Sequence, residues 1–330
     1  MNNILSVEGM NMEGYTKPIL ILGGTGHFGR HIVRSLLEKG QHVRILNRNS
    51  DKARSILGDK VDILEGDIRS RESVVEALRG VKAVVISVSA MTPKLIRELR
   101  LIESDSVLMT LEEAQHADIS RVVYISIYDI REDFLKKMNI TWEIPEIKKE
   151  VEDTLAKSHL NWTVLGAAPS MEIFFSMIRG NTMMVPGGGP PSLPNVSSRD
   201  VGEITAQTIL RDDLNGKRIR ITGPEALSFS DAAKKIGSVT RKTFGVRKIP
   251  LFPLRIASVV ALPFTPYLRH LVTAIKLMNN YPQHVAAIAA KDHQWLVNNF
   301  KYIPNTLEME AKHRFNTQDT LEADKHDKIK

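Results

Sequence analysis

A chain of 330 residues, 42% apolar and 25% charged, is long enough to bury a sizeable core and belongs with globular proteins, not disordered or fibrous ones. It has no cysteine, which excludes disulfides, thiolate catalysis and cysteine-ligated metals. Its net charge of +7 favours anionic partners such as a phosphorylated cofactor, an acidic membrane surface or nucleic acid, and its histidines show no pair at metal-ligand spacing, so no metal site is expected.

In chain order, residues 1–16 ("MNNILSVEGMNMEGYT") lack the basic start and apolar run of a signal peptide. They read as a flexible leader, export is not expected, and a cytoplasmic location follows. Short aliphatic runs then alternate with helical patterns, giving strands near 18–22, 42–46, 61–64, 82–87, 121–127 and 162–165. Such alternation predicts βαβ units and a doubly wound parallel sheet of the Rossmann kind in an α/β fold. Between the first two strands, Phe28, Ile32, Val33, Leu36 and Leu37 share one helix face and Gly40 ends the helix; "SRESVVEALRG" repeats the pattern from Ser70 to Gly80.

After residue 170 the texture changes. The Gly-, Pro- and Ser-rich stretch 185–200 separates a dinucleotide domain over 17–170 from a smaller, mainly helical substrate or partner domain over 171–315. Within the latter, 197–223 is expected to return to the first sheet through a strand near 216–223, and 228–300 reads as mainly helical. Residues 316–330 form a polar tail. No stretch reaches the roughly eighteen uninterrupted apolar residues of a membrane span. Residues 250–277 nevertheless mix apolar side chains with Arg255, Arg269 and Lys276, and either pack as helices over the second domain or touch a membrane peripherally. The basic stretch Lys234, Lys235, Arg241, Lys242, Arg247 and Lys248 has little aromatic interleaving and reads as a solvated face, so no nucleic-acid partner is expected.

The chemistry concentrates in "ILILGGTGHFGRHIV". Gly24, Gly26 and Gly29 fit G-x-G-x-x-G, and Gly23, Gly26 and Gly29 fit G-x-x-G-x-x-G, directly after a strand and opening a helix. Early glycines allow a tight turn and close approach to a pyrophosphate, whose charge meets the helix N-terminus; Gly29 lets that helix pack on the strand. Thr25, His27 and Phe28 complete the loop, with His27 expected beside the phosphates as an extra donor. An NAD site would place an acid at the end of the second strand, whereas this chain has Asn47, Arg48 and Asn49 there. Arg48 can grip a 2′-phosphate with its planar fork, so NADP(H) is expected in preference to NAD(H). Asp67 and Ile68, ending the third strand, suit an adenine amino group and ring face, and Ser87 ends the fourth strand beside the expected cofactor. As an alternative, Asp67 caps the following helix.

These residues, with "VRILNRN", "GDIRS", "ADISRVVYISI" and "KRIRITGPEALSFSDAAKKIG", resemble the NmrA-like group of atypical short-chain dehydrogenase/reductases over roughly residues 17–245. The resemblance implies a seven-stranded Rossmann-like sheet, a small variable second domain, and either an oxidoreductase or a non-catalytic redox sensor or assembly factor. It also implies a serine at the end of the fifth strand that polarises a carbonyl, a position that Ser126 matches. The tyrosine usual four residues before a catalytic lysine is missing, because Ile144 and Pro145 precede Lys148 and Lys149 at that spacing, and Tyr128 has Glu132 four residues on. A second resemblance, to isoflavone-reductase-like proteins, implies that Lys148, fifteen residues before Thr163, donates the proton. For that role burial or the neighbouring Lys149 would have to lower its pKa. Lys148 and Lys149 equally suit the start of an amphipathic helix.

Gly166, Ala167 and Ala168 replace the Arg-Pro-Gly of many relatives and predict a small, uncharged cleft wall fit for an apolar small-molecule substrate. Met171, Phe174, Phe175 and Met177 are expected in the core of the domain junction, with a pocket lining as the alternative. The sequence thus points to an NADPH-dependent reductase of a small apolar carbonyl, enone or quinone, with a non-catalytic NADP-binding sensor as the alternative. It leaves the oligomeric state undefined.

Overall fold

The computed structural model describes residues 17–315 apart from 118, 129–134 and 137–138. The leader at 1–16, Glu132 and the tail at 316–330 lie outside the described residues. Strands β1 (Ile19–Leu22), β2 (Val43–Asn47), β3 (Asp62–Glu65), β4 (Ala83–Ile86), β5 (Arg121–Ile127), β6 (Trp162–Ala167) and β9 (Lys217–Ile221) form one sheet in the order β3-β2-β1-β4-β5-β6-β9, parallel throughout. The reversal of order falls between β1 and β4, and in an open sheet of this kind the crevice at the strand ends there is where ligands bind.

Alternate residues of β1 explain why its whole sequence is aliphatic: Ile19 and Ile21 enter one core, Leu20 and Leu22 the other. On the first face lie α1 (Gly29–Glu38), α2 (Ser50–Leu57) and α7 (Ser198–Thr208), contributing Ile32, Val33, Leu36, Ala53, Val201 and Ile204. On the other lie α3 (Arg71–Leu78), α4 (Ser106–His116) and α5 (Glu143–Lys157), contributing Val74, Leu78, Val107, Leu111, Val151 and Leu155. Ser70 caps α3 by accepting from the Ser73 amide, so Asp67 is not the cap. Helix α7 crosses α1 closely at Gly202, where a Cβ would stand 2.6 Å from the His31 carbonyl carbon.

The second body has its own core, built on α6 (Glu172–Ser176), α8 (Phe229–Thr240) and a small sheet of β7 (Ile178–Arg179), β8 (Thr182–Pro186) and β10 (Gly245–Ile249). Met171, Phe174 and Phe175 are buried in it with Met177 packed against it, which settles them as core. The reading of 228–300 as mainly helical holds, with one strand added. β10 pairs in parallel with β8, a pairing its largely exposed "GVRKI" does not advertise, and the remainder divides into α9 (Phe252–Val260), α10 (Tyr267–Asn279) and α11 (Gln283–Asn299). The chain's last described helix spans 307–315. Among the described residues no helix is long and apolar enough to cross a membrane.

Candidate functional site

A cleft of about 640 Å³ opens at the strand ends over the β1–β4 reversal. Its lining brings together Gly23, Thr25, Gly26, His27, Phe28, Asn47, Arg48, Asp67, Ile68, Ser87, Ser126 and Lys148 from five separate strand ends and α5. Gly24 and Gly29 do not line it; they sit behind the loop and let it close. A Cβ on Gly29 would stand 2.0 Å from the Gly23 carbonyl oxygen, and one on Gly24 would stand 2.7 Å from Ile45 Cγ2. Gly23 has φ +83°, and its Cβ would stand 2.3 Å from the Ser87 carbonyl oxygen, so the turn excludes side chains on conformational and steric grounds together. The N-terminus of α1 has no side-chain cap and no acid in its first turn, which leaves the positive end of its dipole uncompensated for an anion, although the Arg30 and His31 amides already donate to the Gly26 and Phe28 carbonyl oxygens. A pyrophosphate fits this cradle.

The end of β2 is tied to the loop, since Asn47 Nδ2 donates to Thr25 Oγ1 at 3.0 Å while Asn47 Oδ1 accepts from the Asn49 amide. Arg48 is exposed at the rim. Asp67 accepts from Arg69 Nη2 at 2.6 Å and from the Arg69 amide at 2.9 Å; that hydrogen-bonded pair, helped by the charge of Arg48, holds its carboxyl below the usual aspartate range. An acceptor carboxylate and Ile68 therefore flank the adenine end.

Three expected site residues are differently engaged. His27 faces the cleft, but its Nε2 is 2.7 Å from the hydroxyls of both Ser170 and Ser198, and burial lowers its pKa with Arg30 assisting, so the ring ties the loop to the β6–α6 connection and to the start of α7. Ser126 donates its proton to Glu152, which also receives Arg218 Nε at 2.7 Å. While that bond is made, Ser126 has no proton for a substrate oxygen. Lys148 is 6% exposed and pairs at 2.9 Å with Glu103, itself 2% exposed, with its Nζ 5.3 Å from the Tyr124 ring centroid.

The lowered pKa expected for Lys148 is not what the structure builds. Burial pulls the ammonium down, but Tyr124 and the Glu103 carboxylate outweigh it and hold the group above the ordinary lysine value. No sequence pattern pointed to Glu103, because it arrives on a π-helical turn (Leu101–Asp105) that runs into α4, 45 residues from its partner in the chain, and that local distortion aims it inward. Tyr128 is no substitute acid. Its hydroxyl donates to Asp292 of α11, away from the cleft, and burial together with Asp292 raises its pKa.

The expected wall at 166–168 needs a second correction. Ala167 and Ala168 are buried in the core under the sheet, and a Cβ on Gly166 would stand 2.7 Å from the Ile127 carbonyl oxygen, so none of the three faces the cleft. The apolar end is instead built by Met91, Leu95, Ile102, Trp142 and Ile144. These are aliphatic and aromatic residues of the β4–α4 connection and of the entry to α5, a setting in which nothing in the sequence marks a pocket. Trp142 Nε1 is buried without a hydrogen-bond partner among the described residues.

A smaller cleft, of about 380 Å³, lies between α1, α7 and 302–305, lined by His31, Arg34, Asp200, Tyr302 and Asn305. Asp200 is buried and accepts from the Asn305 amide at 3.0 Å and from Nδ2 at 2.6 Å; burial pushes its pKa up to about 7. Burial beside Arg30 and Arg199 pushes His31 down to about 3. Among the described residues no three His, Asp or Glu side chains converge as metal ligands.

A doubly wound sheet with a glycine cradle at its order reversal defines a dinucleotide-binding protein. The chain belongs to the NAD(P)H-binding family, whose model matches residues 23–212, more than half of its length. Among curated proteins it is 26% identical over 244 residues to the Photosystem II assembly factor Ycf39 of Trieres chinensis, covering 73% of this chain and 74% of that one. Among solved structures it shares the fold of an Escherichia coli NADPH-dependent quinone oxidoreductase complexed with NADPH (TM-score 0.66, 16% identity, 90% and 99% covered). It also shares the fold of a Citrobacter sp. triphenylmethane reductase complexed with NADP(H) (TM-score 0.67, 16% identity, 89% and 99% covered).

Proposed function

We propose that this protein is an NADPH-dependent reductase of a small apolar, conjugated acceptor such as an enone or quinone. The observation that carries the reading is the junction, inside one cleft, of a side-chain-free phosphate cradle with an apolar end formed by Met91, Leu95, Ile102, Trp142 and Ile144. NADPH, when bound, supplies a hydride. Gly23 and Gly26 with the α1 N-terminus hold the pyrophosphate, Arg48 the 2′-phosphate, and Asp67 with Ile68 the adenine. The apolar end excludes water and selects a flat acceptor.

Ser126 and Lys148 are committed to Glu152 and Glu103. The site therefore favours acceptors whose reduced form is a delocalised anion that takes its proton from water after it leaves the cleft, in preference to simple ketones that need a protein acid. The buried Lys148–Glu103 pair positions α5 and the π-turn beside the cleft.

A non-catalytic NADP-binding sensor or assembly factor is the second reading, favoured by that engagement of both candidate catalytic residues. The two separate on one experiment. NADPH oxidation is followed against quinones, enones and azo or cationic dyes alongside direct NADPH titration. Turnover of a conjugated acceptor with little of a simple aldehyde supports the reductase, and tight NADPH binding with no turnover of any acceptor replaces it with the sensor.

A further inference from the structure

We propose that the α9–α10 hairpin seats this protein on an anionic lipid surface. Phe252, Ile256, Val259 and Val260 recur at the i, i+4, i+7, i+8 spacing of one helix stripe, and Phe264 continues it in the turn. Instead of packing inward, they face solvent: Phe252 is 70% exposed, Val259 71% and Phe264 79%. An exposed apolar stripe on one face of a short helix suits insertion among headgroups.

The surrounding charge identifies the occupant. From 232 to 291 the chain carries no Asp or Glu. Within that span Arg241, Lys242, Arg247, Lys248, Arg255 and Arg269 make no ion pair with a described residue, with Arg247 and Lys248 on β10 just before α9, Arg255 flanking the apolar stripe and Arg269 on the returning helix. An exposed apolar stripe with unpaired cations on its own helix and on the neighbouring elements of the chain complements an anionic bilayer, to which each Lys or Arg near the surface is attracted. A length short of a span is no obstacle, because such a helix lies in the interface plane.

The hairpin is fixed to the rest of the fold and not a loose arm. Arg97 Nη2 donates to the Phe264 carbonyl oxygen at 2.6 Å and to that of Pro263 at 3.2 Å, and Tyr267 packs against the same buried apolar cluster as Met91, Leu95 and Trp142, all three of which line the cleft. Docking through the tip therefore sets the apolar end of the cleft close to lipid. The proposal stands whether or not the cleft catalyses.

The test is flotation of the full chain with vesicles of phosphatidylcholine alone or mixed with phosphatidylglycerol. Binding is expected to the anionic vesicles only. It should weaken as salt rises from about 0.1 M, where the screening length is about 10 Å, to about 1 M, where it is about 3 Å. The triple variant Phe252→Ser, Val259→Ser, Phe264→Ser should bind about tenfold or more weakly, since it removes large apolar area from the inserted face, while NADPH titration remains as in the parent. Phe264→Trp, read by a blue shift of its emission on adding anionic vesicles, keeps the test valid if the triple variant folds poorly. No flotation with either vesicle overturns the proposal, as does equal flotation of the triple variant. So does a dimer in solution that the triple variant dissociates, which would make a second copy the occupant.

Discussion

Replacing Glu103 by Gln removes one charge from a buried pair while keeping nearly the same shape and an oxygen for the Ala90 amide, which now donates to Glu103 Oε1 at 2.6 Å. Lys148 has almost no access to water. Stripping a buried cation of its partner costs about 3–5 kcal/mol, a large part of the roughly 5–15 kcal/mol that holds a domain folded. The pH dependence gives the effect a sign. In the parent, Lys148 is held above the ordinary lysine value, so its contribution is fully present below about pH 10.4 and is lost only as pH rises through the higher folded value. In Glu103→Gln, burial acts with less opposition and the folded pKa drops below the unfolded one. The unfolded state then binds more protons and stability climbs from neutral pH toward about pH 10. Urea melts of both proteins at about pH 7 and about pH 9.5 should show a large loss that shrinks at the higher pH. Adding Lys148→Met to Glu103→Gln should recover most of the loss at neutral pH, because no buried charge remains. A loss under about 1 kcal/mol, far below the cost of an orphaned buried ion, would refute the reasoning, as would a loss independent of pH or one that Lys148→Met leaves unrelieved.

The other predictions use different parts of the molecule. Gly29→Ala should weaken NADPH binding in calorimetric titration by tenfold or more and lower stability by about 1–3 kcal/mol, because its Cβ would stand 2.0 Å from the Gly23 carbonyl oxygen; a variant that binds normally would show that the loop is not the cradle. Arg48→Ala should cost NADPH about 1.5–3 kcal/mol of binding and leave NADH almost unchanged, and equal losses would remove its assigned contact. Asp200, pushed up to about 7 by burial, binds a proton in the folded state that the unfolded state has released, so it lowers stability as pH rises from about 4 to about 7. Asp200→Asn should flatten that part of the stability profile, and an unchanged slope would show that other groups set it.

The fold and the cofactor cradle were legible in the chain because both rest on local rules. Ile19–Leu22 reads as a strand buried on both faces, Gly23 to Gly29 must be free of side chains for the turn and helix to meet, and Asn47 and Arg48 declare the charge at the end of β2 by their identity alone. The catalytic reading failed where the deciding contacts join residues distant in sequence. Lys148 looked able to lose a proton until the π-turn brought Glu103 against it, Ser126 looked like a donor until Glu152 took its proton, and Gly166 to Ala168 looked like a wall until the sheet buried them. Residue identity and short-range periodicity thus determined the sheet and the glycine loop at its order reversal. Which ionisable groups are free, and where the apolar end of the cleft and the unpaired face of α9 lie, depends on burial and on charge pairs brought together only by packing, and the tertiary structure alone decided these.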